Sequence, residues 1–171
     1  MPWPRLFRRS SAPVAPIAVP VTWTEYAPLL ESAQSGPEGI AGNWAGRKVK
    51  LSQNPEGQFI IQMSCQADLW CRRRTSVTTM LDPSLFEIYT TGDPRIDEDW
   101  IVQTNPPSAF RREFEGGCTA LLDLLKADPA LHATREWLTF RTAEHPTPPA
   151  AQQWLTQLAK VAVTAERELR L

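Results

Sequence analysis

The chain has 171 residues, of which 42% are apolar and 22% charged, and its net charge at pH 7 is −1. This composition is typical of a globular protein and excludes a disordered chain. No stretch reaches the roughly 18 apolar residues of a membrane-spanning helix, so we predict no transmembrane segment and a single α+β domain over residues 22–171.

Residues 1–21 are predicted to form a flexible, basic, proline-rich leader. They contain three arginines and no acid. Several prolines interrupt the apolar helix that a secretory signal requires, so we expect a cytoplasmic location. The first nine residues, MPWPRLFRR, combine aromatic and cationic side chains, which suits an anionic membrane surface. Peripheral membrane attachment through residues 1–9 is therefore one functional hypothesis.

The predicted elements begin with a short helix over WTEYAPLLESAQ, which SGPEG ends. Strands are predicted where apolar residues alternate or β-branched residues accumulate. These segments are GRKVKLSQ, GQFIIQMSC, RRTSVTTM, SLFEIYTT, DWIVQT and REWLTFRT. The turn Asn54-Pro55-Glu56-Gly57 joins the first two, and short connections of this kind favour antiparallel pairing.

Two longer helices are predicted in the second half of the chain. The first covers SAFRREFEGGCTALLDLLKA, in which apolar residues form one stripe. The second begins at Thr147 and Pro148, because threonine suits the N-cap and proline the first helical position. We therefore predict an antiparallel sheet of five or six strands, with two long helices packed on one face and a short N-terminal helix.

An acidic cluster, TTGDPRIDED, suggests either a cation site or a charged turn. Asp93, Asp97 and Asp99 could supply three oxygen ligands for a divalent cation. However, Pro94 and the absence of a suitably placed glycine depart from the EF-hand pattern, and Asp93 before a proline is typical of a tight turn. A divalent-cation-dependent hydrolase or transferase using these acids is the second hypothesis.

The cysteines and histidines do not predict a bound metal or cofactor. Three cysteines and two histidines lack the paired spacing of a zinc site, so we expect no cofactor. Cys65 and Cys71 would lie opposite each other if GQFIIQMS and RRTSVTTM formed a hairpin, which leaves a disulfide open. Without an export signal, reduced thiols are the favoured state.

The sequence favours a non-catalytic module that binds another protein. No nucleotide-binding or hydrolase motif is present, and a slightly acidic chain without a known DNA- or RNA-binding motif does not favour nucleic acid. Tryptophan and arginine are enriched where protein interfaces gain most of their affinity. The predicted contact residues are Trp44, Arg47, Trp70, Arg72 and Arg73.

Overall fold

The structure is a computed structural model that describes residues 22–74, 87–89, 91, 93–105 and 117–166. These ranges contain nine strand segments: β1 (Glu31–Gly36), β2 (Gly39–Trp44), β3 (Arg47–Gln53), β4 (Phe59–Ser64), β5 (Asp68–Arg73), β6 (Glu87–Tyr89), β7 (Trp100–Asn105), β8 (His132–Ala133) and β9 (Trp137–Thr142). They form one sheet in the order β1-β2-β3-β4-β9-β8-β5-β7-β6, and every pairing is antiparallel.

The helices in these ranges are a 3₁₀ helix (Trp23–Leu29), α1 (Pro94–Asp97), α2 (Gly117–Ala127) and α3 (Pro148–Glu166). The predicted start of α3 is confirmed, since the backbone N–H of Ala151 donates to the carbonyl of Thr147. The described part of α2 begins at Gly117, and the preceding residues of its predicted span lie outside the described ranges. No helix in the described part of the chain is long and apolar enough to cross a membrane.

The predicted architecture of five or six strands with two long helices is wrong. The fold is α+β, but it has one large antiparallel sheet and additional short helices. The predicted helix over residues 23–34 is instead a 3₁₀ turn followed by β1. Pro28 removes a backbone donor, and Leu30 is already extended, with φ −114° and ψ 133°.

The hairpin between GQFIIQMS and RRTSVTTM, on which a Cys65–Cys71 disulfide would have depended, does not form. The first segment contains β4, whose partners are β3 and β9, whereas β5 pairs with β7 and β8. Two strands therefore separate β4 from β5 in the sheet. Residues 75–80, the remainder of the second predicted strand, lie outside the described ranges.

The sheet has one face that carries the main core and the helices, here called the helix face. Its buried side chains include Leu51, Phe59, Ile61, Leu69 and Phe140. Three aromatic contacts place helices on it. The ring centroids of Trp23 and Tyr26 in the 3₁₀ helix lie 5.7 and 5.3 Å from that of Phe59. The ring centroid of Trp154 in α3 lies 5.0 Å from that of Phe140. Because side chains alternate along a strand, the intervening residues point to the opposite, outer face.

A close approach at one corner fixes the position of the 3₁₀ helix and β1. Gly42 of β2 lies against the backbone of β1, so that a Cβ atom there would be 2.8 Å from the Glu31 carbonyl oxygen and from Leu30 Cβ. Only glycine leaves room for this contact.

Candidate binding surface

One register row crosses the outer face from the β1 edge to the β6 edge. Each member is the partner of the next in the strand pairing. In order, the row is Gln34, Ala41, Lys50, Gln62, Thr139, His132, Trp70, Gln103 and Ile88. Six of these nine residues are polar, whereas the helix face is apolar, as expected for an antiparallel sheet with one packed side.

Trp70 is the dominant apolar side chain of this row. It is 43% exposed, and its ring stacks on that of His132 with centroids 5.3 Å apart and planes inclined by 14°. The stacking holds the indole in one orientation while it remains open to solvent. An ordered, exposed tryptophan loses little conformational freedom when a partner covers it, which favours binding.

The outer face also carries positive charge. Lys48 and Lys50 are exposed on β3. Arg72 lies two residues from Trp70 on the outer face of β5, and Arg141 lies on the outer face of β9. Among the described residues, the carboxylates at outer-face positions are Glu31, on the edge strand, and Asp68, which pairs with Arg135 at 3.2 Å. The described residues therefore give the outer face a net positive charge.

Polar side chains are buried within the outer face as well. Gln103, directly across from Trp70, is only 2% exposed, and Thr139 is also buried. The Gln103 Nε2 atom has no hydrogen-bond partner among the described residues. Buried amides are nearly always paired, so this donor is an unusual feature of the surface.

The predicted contact residues fall into three separate places. Trp70 and Arg72 lie on the outer face, whereas Trp44 and Arg47 are paired at the end of the β2–β3 hairpin, on the helix face. Arg47 is held there by Glu166 of α3. Arg73 alternates with Arg72, is exposed at the end of β5, and pairs with Trp100. Sequence reasoning missed His132 and Gln103, because only the strand register brings them to Trp70.

The acidic cluster forms a capped turn. Asp93 caps α1: its side chain accepts the backbone N–H of Arg95 at 3.0 Å and pairs with the Arg95 guanidinium at 2.6 Å. Asp97 accepts the N–H and hydroxyl of Thr91 at 2.8 and 3.0 Å. Asp99 is exposed. Across the described ranges, no three His, Cys, Asp or Glu side chains are grouped to hold a metal ion.

Cys65 and Cys71 are buried free thiols. Burial raises the pKa of Cys65 to about 11, and burial followed by the nearby Asp128 carboxylate raises the pKa of Cys71 further. Both therefore remain protonated at neutral pH. Since the thiolate is the reactive form, these residues act as small apolar side chains instead of nucleophiles.

Two clefts lined by residues in the described ranges lie away from the outer-face row. One, of about 480 Å³, is lined by α2 and α3, with Asp123, Lys126 and Trp154 among its residues. The other, of about 650 Å³, adjoins the Arg47–Glu166 pair and Cys65. Cys65 and the Glu166 carboxylate both line the second cleft, but the raised pKa of the Cys65 thiol and the ion pair between Glu166 and Arg47 do not favour covalent catalysis there.

Comparison with known proteins does not place the chain in a family. No protein-family model and no curated protein match it. Among solved structures, it is similar to the crystal structure of the mycobacterial trehalose monomycolate transport factor A, TtfA, with 12% sequence identity and a TM-score of 0.46. That similarity covers 74% of this chain and 72% of the other. At such low values it supports no conclusion about function, which has to be inferred from this chain's own residues.

Proposed function

We propose that the protein is a non-catalytic binding module whose partner is another protein, and that the outer face of the sheet is its contact surface. The observation that carries this proposal is the exposed indole of Trp70, held in place by its stacking on His132. Tryptophan is the residue type most enriched among those that dominate interface affinity.

The surroundings of Trp70 support a protein contact. Arginine is the other side chain commonly found at such positions, and Arg72 is its neighbour on the same face of β5. Polar residues of the row surround the aromatic pair, which resembles the usual arrangement of an apolar anchor within a polar rim.

Site-specific photo-crosslinking tests the proposal. A photoreactive amino acid is placed at Gln62, in the outer-face row, or at Gln152, on the exposed side of α3, and the full chain is expressed in its native cell. We expect a discrete protein adduct from position 62 and none from position 152. Trp70→Ala should abolish the adduct. Identical adducts from both positions, or an adduct that survives the Trp70 change, would contradict the proposal.

A further inference from the structure

The sheet consists of two groups of strands joined by a very short one. The first group is β1-β2-β3-β4-β9, and the second is β5-β7-β6. Within them, β4 pairs with β9 from Phe59 to Ser64, and β5 pairs with β7 along its whole length. Between them, β8 contributes only His132 and Ala133. The pairing of β8 with β5, here called the seam, is therefore the one backbone ladder that joins the two groups in the described sheet.

β8 is anchored more firmly to the first group than to the second. A tight turn connects it to β9, and in this turn Thr134 and Trp137 exchange backbone hydrogen bonds at 3.0 and 3.1 Å. Where β8 would continue, the backbone N–H of Arg141 on β9 donates to the Asp128 carboxylate at 2.8 Å. The other oxygen of this carboxylate accepts the N–H of Ala130 at 2.9 Å. Asp128 thus holds the segment before β8 against β9, and the weak boundary lies between β8 and β5.

The contacts across the seam on the outer face are an aromatic stack and an ion pair. The Trp70 ring stacks on that of His132, and Arg135 Nε pairs with Asp68 Oδ2 at 3.2 Å. The Arg135 side chain is 66% exposed, and ion pairs in contact with water contribute little to stability. The outer face therefore adds little to the free energy that keeps the seam closed.

On the helix face, apolar packing closes the seam. Leu69 of β5 and Ala133 of β8 are partners there, and both are fully buried. Three strands that lose such packing are not stable alone, so the second group unfolds when it leaves the core. The pairings and core of the first group stay intact in this step, whereas global unfolding breaks them as well. Opening the seam therefore requires less free energy than global unfolding.

We propose that β5, β7 and β6 open along the seam as one unit while the first group and α3 stay folded, and that this opening dismantles the outer-face contact surface. The surface spans the seam: Gln62 and Thr139 belong to the first group, His132 to β8 and Trp70 to the second group. A partner that covers both sides binds the closed sheet and not the open one, so binding and closure stabilise each other. This inference rests on the proposed protein-binding function and adds a means of regulating it.

Native-state hydrogen exchange of the full-length protein tests the opening. NMR at low urea concentrations follows two sets of backbone N–H groups, those shared by β5 and β7 and those shared by β3 and β4. We expect the protection of the β5–β7 set to be at least about tenfold lower, with one common free energy of opening below that of global unfolding. Equal protection of the two sets would overturn the inference.

Two alanine-to-glycine changes give the opening a distinct signature. Ala133 lies in the seam and Ala151 in α3, and both are fully buried. Ala133→Gly weakens contacts that are lost in opening and in global unfolding, so both sets should exchange about fivefold faster. Ala151→Gly weakens contacts that are lost only in global unfolding, so the β3–β4 set should exchange about fivefold faster and the β5–β7 set should be unchanged. Acceleration of both sets by Ala151→Gly would show that the second group does not open separately, and would overturn the inference.

The exchange and crosslinking experiments distinguish this inference from the proposed function. If a partner is captured through Gln62 but the β5–β7 set exchanges only by global unfolding, the inference of a separate opening fails alone. If the opening occurs but no protein adduct forms, the proposed function is what fails. A captured partner, added to the protein, should also slow the exchange of the β5–β7 set. Unchanged exchange would show that the partner binds the open sheet equally well, and would overturn the link between the opening and the contact surface.

Discussion

Arg47 of β3 and Glu166 of α3 form a two-pronged ion pair, with Nη1–Oε1 and Nη2–Oε2 distances of 2.9 and 2.6 Å. Their side chains are only 14% and 7% exposed. The same carboxylate accepts the backbone N–H of Gln66 at 2.8 Å. A mostly buried carboxylate is unfavourable without a cation, so Arg47 compensates for this charge and fixes α3 to the sheet.

Removing either member of this pair should destabilise the fold. Arg47→Met leaves a mostly buried carboxylate without its cation, and we expect the free energy of unfolding to fall by about 3 kcal/mol. Glu166→Leu should also be destabilising. The double variant should lose less than the sum of the single losses, because neither charge is then left unpaired. Urea unfolding measures all four proteins, and strictly additive losses would contradict direct coupling between the residues.

Gly42 should tolerate no side chain. In Gly42→Ala the new Cβ would lie 2.8 Å from the carbonyl oxygen of Glu31, so β1 must shift, and we expect a loss of about 2 kcal/mol. Gly36→Ala is the matched control, because its Cβ would meet nothing nearer than 3.9 Å. Thermal or urea unfolding compares the two variants. Equal losses would mean that the close approach is not the cause.

Asp93 should stabilise the fold both by capping α1 and by pairing with Arg95. Asp93→Ala removes the acceptor for the Arg95 N–H and should lower stability by about 1 kcal/mol. Asp93→Asn keeps a side-chain oxygen for the cap and should lose less. Thermal unfolding measures both changes, and a larger loss for asparagine than for alanine would contradict the capping role.

The contribution of the Asp93 charge to the free energy of unfolding should decrease as the pH falls. Hydrogen bonding to Arg95 lowers the pKa of Asp93 in the folded chain below its value in the unfolded chain, about 3.9. The stabilisation is therefore complete when the pH is above the pKa of Asp93 in the unfolded chain. It is lost as the pH falls through the lower pKa of Asp93 in the folded chain. The stability difference between the natural protein and Asp93→Asn should be present at neutral pH and vanish in strong acid. A difference that grows on acidification would contradict this assignment.

Cys65 and Cys71 should resist alkylation until the protein unfolds. Both thiols are buried, and burial raises the pKa of each, which suppresses the reactive thiolate. Iodoacetamide labelling, resolved by peptide mass spectrometry, should leave both unmodified in buffer and modify both in urea. Rapid labelling of either residue in the native protein would contradict its buried position.

The sequence predicts strands well where one face is apolar and fails where it is not. Alternation of apolar residues correctly indicates β3 and β4, and clusters of aromatic and β-branched residues correctly indicate β7 and β9. The first strand, ESAQSG, is almost entirely exposed, and β2 contains two glycines, so neither has a pattern to detect. The candidate surface depends on register: Trp70 meets His132 and Gln103 through pairings between distant segments, which local spacing does not encode.

The pairing of β4 with β9 has a consequence for how the chain folds while it is being synthesised. Strands β1 to β4 are consecutive neighbours and can assemble soon after they leave the ribosome, but Phe59 of β4 must wait for Thr142. During that interval β4 presents unsatisfied backbone groups along one side, a template for association with other nascent chains. We infer that the nascent chain needs chaperone protection in the interval between the synthesis of β4 and the synthesis of β9.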